Sequence, residues 1–417
     1  MSCKCCQPGG YSSEEDYEEQ EEEEVNIPSI SALREMVESL VTTQIPAAAY
    51  TQASGDEQQP IAEEGMQKVL HDDGVCKDRV QSLVEGGITQ IPAAYIRPID
   101  ERPKASGIVA EIPVIDLGGA EGGDKEAIRA EIGRACEDWG FFQVVNHEVP
   151  LSVLEGMRKD GRAFFGLPME EKLRYACNPG TIASEGYGNK MLVKDEQVLD
   201  WRDYLDLHTL PLSRRVPSNW PALPDSFRQT VVQYSEEMRA LAQRLLALIS
   251  ESLGLPSSSM KDALGEPSQN VSVNYYPTCP QPDLTLGLQA HSDLGAITIL
   301  MQADIAGLQV FKDGNWIAVQ PLTDALVVNL GDMMEVLSNG KYKSVEHRAV
   351  VNAQRDRLSV ATFLDPAKDQ LITPASALID SKHPVLYKDV VFRDFVASWY
   401  SKGPSGKRNI DNLLISS

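Results

Sequence analysis

His291, Asp293 and His347 are the residues of this chain whose types and spacing can do chemistry together. The first two stand in LQAHSDLGAITIL and the third, 56 positions after His291, in YKSVEHRAVVN. Ten residues further on, RLSV supplies Arg357 and Ser359. Two imidazoles and one carboxylate that leave coordination positions open are the ligand set of a non-haem Fe(II) centre that handles O2. An Arg placed two residues before a Ser can hold a dicarboxylate, because guanidinium grips a carboxylate through two parallel hydrogen bonds and a hydroxyl adds a third. His-x-Asp alone arises often by chance, and a lone strand histidine usually packs. Followed by a histidine within a β-rich run and then Arg-x-Ser, it reads as a site for iron, oxygen and 2-oxoglutarate.

The spacing dictates the elements. Residues i and i+2 point the same way only on a strand. LGLQAH runs into His291, a Ser-Asp-Leu-Gly turn follows, and AITILMQ runs out, so His291 and Asp293 are presented together at a strand end. His347 closes the triad from a neighbouring strand. Arg357 and Ser359 share a face of the next strand, RLSVATF, by the same period of two.

The rest of the chain bounds the setting. Its 417 residues, 42% hydrophobic, can bury a large core. No run of 18 apolar residues exists, so no transmembrane helix is expected. The opening MSCKCCQPGGYSSEEDYEEQEEEE is acidic, with no apolar leader, and the cytosol is the expected location. Net charge is −23, but residues 1–75 hold 17 acidic and 3 basic residues, a balance of −14, against −9 for the remainder. With no basic stripe, nucleic acid is not an expected partner, and neither is a membrane; a small-molecule substrate is. Seven cysteines scattered through the chain are not a disulfide framework, and Cys3, Cys5 and Cys6 lack a second cluster with which to bind metal.

Four regions follow. Residues 1–77 form an acidic extension expected to be mostly disordered, since nine acidic residues between 14 and 24 repel one another. It carries a partial repeat, VESLVTTQIPAAAY (37–50) against VQSLVEGGITQIPAAYIRP (80–98). Residues 78–265 are read as a helical and strand region: strands IPVIDL and FFQVVNH, and helices near 124–139, 151–165 and 225–254. Residues 266–367 hold eight short β-rich runs separated by turn signals, the pattern of a jelly roll. Residues 368–417 are a C-terminal helical segment with a helix near 391–402. The fold class is mixed α+β, a double-stranded β-helix (cupin-like) core flanked by helices.

NYYPTCPQPDLTLGLQAHSDLGAITIL, GLQVFKDGNWIAVQP, VVNLGDMMEVLSNGKYKSVEHRAVVN and RLSVATFLDP resemble the plant 2-oxoglutarate- and Fe(II)-dependent dioxygenases, nearest the anthocyanidin synthase, flavonol synthase and jasmonate hydroxylase clade. The resemblance spans about residues 78–405. It implies that His291, Asp293 and His347 bind iron, that Arg357 and Ser359 bind 2-oxoglutarate with Tyr276 and Asn274 in contact, and that ascorbate serves as reductant. O2 and 2-oxoglutarate would be consumed, with release of succinate and CO2, as a substrate is hydroxylated or desaturated. Three departures bear on the substrate. Flavonoid-oxidising relatives carry Lys, and jasmonate-type relatives Arg, where this chain has Ser272. The flavonoid Phe-x-Glu is here Phe363 and Asp365. The last helix lacks an Arg at the position of the carboxylate clamp of hormone hydroxylases. Ser272, Phe363 and Asp365 are therefore the candidate pocket, and His147, in NHE, is expected to be structural.

The expected function is oxidation of a small aromatic, flavonoid-like metabolite. One alternative is hydroxylation of a carboxylate hormone such as jasmonate. Another is a non-catalytic cupin-fold binding protein that uses its acidic extension as a contact surface.

Overall fold

The computed structural model describes residues 79–103, 111–120, 122–178, 185–190, 198–402 and 409–415. The acidic extension, its cysteines and the first copy of the repeat lie outside them. Helices are α1 (Val80–Glu85), α2 (Lys125–Asp138), α3 (Leu151–Phe165), α4 (Met169–Leu173), α5 (Phe227–Ser252), α6 (Ser259–Ala263), α7 (Asp332–Leu337) and α8 (Phe392–Lys402). The early strands are β1 (Val114–Asp116), β2 (Phe141–Val145), β3 (Gly186–Gly188) and β4 (Asp203–Leu210). Then come β5 (Ser268–Tyr276), β6 (Leu288–His291), β7 (Ile297–Gln302), β8 (Leu308–Lys312), β9 (Asn315–Ala318), β10 (Leu326–Leu330), β11 (His347–Ala349) and β12 (Arg357–Asp365), followed by β13 (Leu371–Ile372) and β14 (Val390–Val391).

The eight expected runs are β5 to β12, and they alternate between two sheets. A large sheet has the order β1-β2-β10-β7-β12-β5-β4-β3, and a small one β6-β11-β8-β9. The chain steps from large to small at β6, back at β7, across for β8 and β9, back at β10, across at β11 and back at β12. This alternation is the double-stranded β-helix. Strands β1 to β4, from before residue 266, extend the same large sheet on both edges, so the sheet crosses the boundary drawn at 265/266.

Alternation along each strand decides what faces where. On the outer face Val271, Val273, Leu358, Val360, Ile297, Ile299, Leu326 and Val328 join one core with Val231, Met238, Leu241, Leu245 and Ile249 of α5. That stripe recurs every three or four residues along the 26-residue helix, which is why the segment is helical and why it lies on the sheet. Where the two sheets meet, Phe141 and Val327 pack against Leu308 and Val310. Much of the inner face is polar, and it carries the site.

Among the elements not anticipated, two bear on the site. In α7 all six residues are buried, so no amphipathic stripe marks it. In β4 the inward residues are Tyr204, Asp206 and His208, whose polarity reads like a solvent face.

Candidate active site

A single strand pairing assembles the triad. β6 ends at His291, β11 begins at His347, and the two are directly opposite in an antiparallel pair. Their ring centroids are 4.3 Å apart. Asp293 follows in the turn, with Oδ1 3.6 Å from Nε2 of each histidine. All three ligand atoms lie within 4.8 Å of one another, a spacing that one small cation can bridge.

Each ligand is oriented from its far end. His291 Nδ1 donates to the Gln289 carbonyl (2.8 Å) and His347 Nδ1 to the Val345 carbonyl (3.2 Å). A carbonyl only accepts, so both rings carry the proton on Nδ1 and aim the Nε2 lone pair at the centre. Asp293 Oδ2 accepts from Thr298 (2.5 Å) and Asn329 (2.7 Å), which leaves Oδ1 for a metal. Burial, aided by the neighbouring His347, presses the His291 pKa down to about 4, so the ring is neutral at physiological pH. Burial alone would raise Asp293; the neighbouring His347 and His291 rings and the two hydrogen bonds outweigh it and hold the carboxyl below its usual value. Two imidazole nitrogens and one carboxylate oxygen fit Fe(II).

Supports extend beyond these contacts. The Gln289 amide donates to Asp200 Oδ1 (2.9 Å), and Arg97 pairs with that oxygen at 2.5 Å, so residues before the first strand steady the strand of His291. The turn after Asp293 is pinned by the start of α7: the Asp332 amide donates to the Asp293 carbonyl (2.8 Å) and the Met333 amide to that of Gly295 (3.0 Å).

Arg357 lies on the inner face of β12, 3% exposed. It donates from Nη2 to Gln302 Oε1 (3.2 Å), from Nη1 to Ser359 Oγ (3.4 Å) and from Nε to the Ile305 carbonyl (3.2 Å), with its guanidinium over the Tyr276 ring at 5.1 Å. Among the described residues no carboxylate pairs with it, and burial depresses its pKa. A buried cation without an anion is costly, and the adjacent Gln302 Nε2 has no hydrogen-bond partner. The carboxylate of a dicarboxylate would satisfy both, so the residues fit 2-oxoglutarate. The close approach depends on Gly307, where a Cβ would come 2.8 Å from Arg357 Cδ.

The strand register places the other candidates. Arg357 is opposite Tyr276, Ser359 opposite Asn274, Ala361 opposite Ser272, and Phe363 opposite Asn270. On the other side of β12, Phe363 is opposite Thr298, and Thr298 is opposite Asn329, the two donors to Asp293. Tyr276 faces the site, whereas Tyr275 points outward and stacks on Phe165 at 5.0 Å. Asn274 accepts from Arg202 Nη1 (2.6 Å) and donates to the Ser272 carbonyl (3.2 Å). Asp365 reaches back to the turn of Asp293, where a Cβ on Gly295 would overlap its carboxylate. Burial, then the charges of Asp293 and Asp206, push its pKa up to about 7. His147 is buried, donating from Nε2 to the Asp324 carbonyl (2.9 Å) and accepting at Nδ1 from the Val149 amide (3.2 Å), a structural role as expected.

Sequence reasoning missed Thr298, Asn329, Gln302, Asp200, Arg202, Asp206 and Tyr400. The Leu205 and Leu207 alternation in DYLDLHTL was the available signal for β4, and with it for Asp206.

Residues 267–366 match the 2OG-Fe(II) oxygenase superfamily, and residues 112–223 match the N-terminal region described as non-haem dioxygenase in morphine synthesis. Jasmonate-induced oxygenase 4 of Arabidopsis thaliana is 43% identical over 344 residues, 81% of this chain and 96% of the relative. Flavanone 3-dioxygenase 2 of Oryza sativa subsp. japonica is 45% identical over 316 residues, 75% and 91% respectively. The crystal structure of JOX2 in complex with 2OG, Fe and JA superposes with a TM-score of 0.76 at 40% identity, covering 81% of this chain and 98% of that one. With the triad and the buried anion socket on one jelly roll, the chain is a member of the 2OG-Fe(II) oxygenase superfamily, a dioxygenase dependent on Fe(II) and 2-oxoglutarate.

Proposed function

We propose that His291, Asp293 and His347 ligate the iron, that Arg357 and Ser359 anchor the distal carboxylate of 2-oxoglutarate with Tyr276 beneath, and that Asn274 borders the co-substrate. Iron and 2-oxoglutarate held there would activate O2, which is the oxidant of both the co-substrate, leaving as succinate and CO2, and the substrate. The protein's part is positional. Backbone carbonyls fix the imidazole tautomers, Thr298 and Asn329 hold Asp293, and Phe141, edge-on to His347 at 5.2 Å, keeps water from that side of the ring.

The substrate is a small hydroxylated aromatic, flavonoid-like, which is hydroxylated or desaturated. One observation supports this reading: the inner face of β4 and β12 beside the iron site carries two acids, Asp206 and Asp365. Position 272 is a serine, and Arg393, the arginine of α8, is exposed and paired with Asp369. Phe363 offers an aromatic surface one strand from Thr298. A second reading, oxidation of a carboxylate hormone, is favoured by the likeness to the JOX2 complex with JA. Succinate release measured across hydroxylated flavonoids, jasmonate and auxin separates the two. Turnover of the flavonoids is expected, and turnover confined to the acids would reverse the order.

A further inference from the structure

Strand β4 brings to the inner face an acid that no motif announced. Asp206 stands opposite Ser272, and Ser272 opposite Ala361, so the three form one cross-strand row. Asp206 hydrogen-bonds the Ser272 side chain, yet its Oδ1 is cut off from solvent without a hydrogen-bond partner. In the adjacent row Asn270, opposite Phe363 and His208, also has a buried Oδ1 with no donor. Beyond it Asp365 presents a carboxylate that no described side chain hydrogen-bonds. Three acceptors thus line one wall, and two of them hold buried oxygens without donors. Such groups are costly unless something supplies the missing donors.

The groups around this wall are Arg202, Arg214, Glu185 and Tyr400. Arg202, 5% exposed, donates through Nη1 to Asn274, while its Nε is buried without a partner. Arg214 contacts His208 at 2.9 Å. Glu185 accepts from Trp220 Nε1 and from the His208 amide. The Tyr400 phenol, brought by α8, is pushed up by burial and then by the charges of Asp206 and Asp365, which keeps it protonated.

We propose that Asp206 is a specificity-determining residue, which with Asn270 and Asp365 forms an acceptor wall that takes hydroxyl groups of an aromatic substrate and turns carboxylates away. The inference rests on the hydroxylated-aromatic reading above and names the residues that enforce it. Phe363 supports the ring while Asp206 and Asp365 receive hydroxyls at either end. A carboxylate placed there would meet two acids in a site of low dielectric and would leave the orphaned acceptors unpaired.

The test uses the anaerobic complex of the full chain with Fe(II) and 2-oxoglutarate, titrated calorimetrically. The probes are 4′,5,7-trihydroxyflavanone, its fully O-methylated counterpart, and jasmonate. The wild type is expected to bind the trihydroxy compound at least about tenfold tighter than the methyl ether. Asp206→Leu should cut that ratio by about tenfold with 2-oxoglutarate affinity unchanged, and Asp206→Asn, which can keep the Ser272 bond, by a smaller factor. An unchanged ratio in both variants overturns the role of Asp206 while leaving the substrate class intact. So does a wild type that does not distinguish phenol from ether. Binding of jasmonate but of neither flavanone overturns the substrate reading, and this inference with it.

Discussion

Replacing Arg357 with Met separates the co-substrate socket from the fold. The guanidinium is buried with no described carboxylate partner and donates to Gln302, Ser359 and the Ile305 carbonyl, with the Tyr276 hydroxyl a further partner. Removing it relieves a buried charge worth several kcal/mol and strands its hydrogen-bond partners at about 1–3 kcal/mol for each that finds no other. The two effects nearly cancel, so the metal- and ligand-free variant should melt within about 3 °C of the wild type. Binding responds differently. Two charge-assisted hydrogen bonds at about 1.5–3 kcal/mol each are lost, a weakening of roughly 10²–10⁴-fold for 2-oxoglutarate. Ligand at 100 times Kd stabilises by about 2.7 kcal/mol. With an unfolding entropy near 2.1 cal/mol/K per residue over a globular part of roughly 340 residues, that raises the wild-type Tm by about 4 °C. At the same concentration the variant should shift by less than about 1 °C. The assay is thermal melting with anaerobic Fe(II) and increasing 2-oxoglutarate. A full shift in the variant would show that the co-substrate is anchored elsewhere. A ligand-free Tm lowered by 10 °C or more would show that the guanidinium is a structural part of the core.

Asn329→Leu removes a donor to Asp293 Oδ2, freeing the carboxylate to turn, and metal affinity should fall about 10- to 100-fold; titration with Fe(II) under argon measures it, and unchanged affinity would refute the orienting role. His291 also sets a pH response. Its folded pKa, about 4, lies below the ordinary 6.5, so between those values the unfolded chain binds a proton that the folded one refuses. The metal-free protein should therefore lose stability as pH falls from 6.5 to 4, with a slope from this group of up to about 1.4 kcal/mol per pH unit. His291→Gln should flatten that slope in urea melts at stepped pH, and an unchanged slope would assign it to other groups.

The reaction class was legible because its residues recur at strand spacing. His291 and Asp293 are two apart, Arg357 and Ser359 are two apart, and the apolar positions between turns mark eight strands. Helices α2, α3 and α5 showed their stripes and lie within two residues of their expected ends. What stayed hidden lacked a contrast between faces. Helix α7 is buried all round. The donors Thr298 and Asn329 sit within apolar strands 31 residues apart and become neighbours only through the β7–β10 register.

The same limit explains why the substrate side was the hardest to read. Alternation tells which side chains of a strand share a face, and it labels the polar face as wet. In β4, β5 and β12 the polar face is the inside of the enzyme: Asp206, Ser272 and Ala361 meet in one row although 66 and 89 residues separate the successive members. No local window contains that row. Ser272, read alone, was an absent Lys or Arg. Opposite Asp206 it becomes the hydroxyl that holds one oxygen of an acid, whose Oδ1 stays buried without a partner. A serine in place of a base at 272 and an acid opposite it at 206 act in the same direction. In the proposed reading they favour substrates that donate hydrogen bonds over those that accept them, while the triad and Arg357 stay as they are.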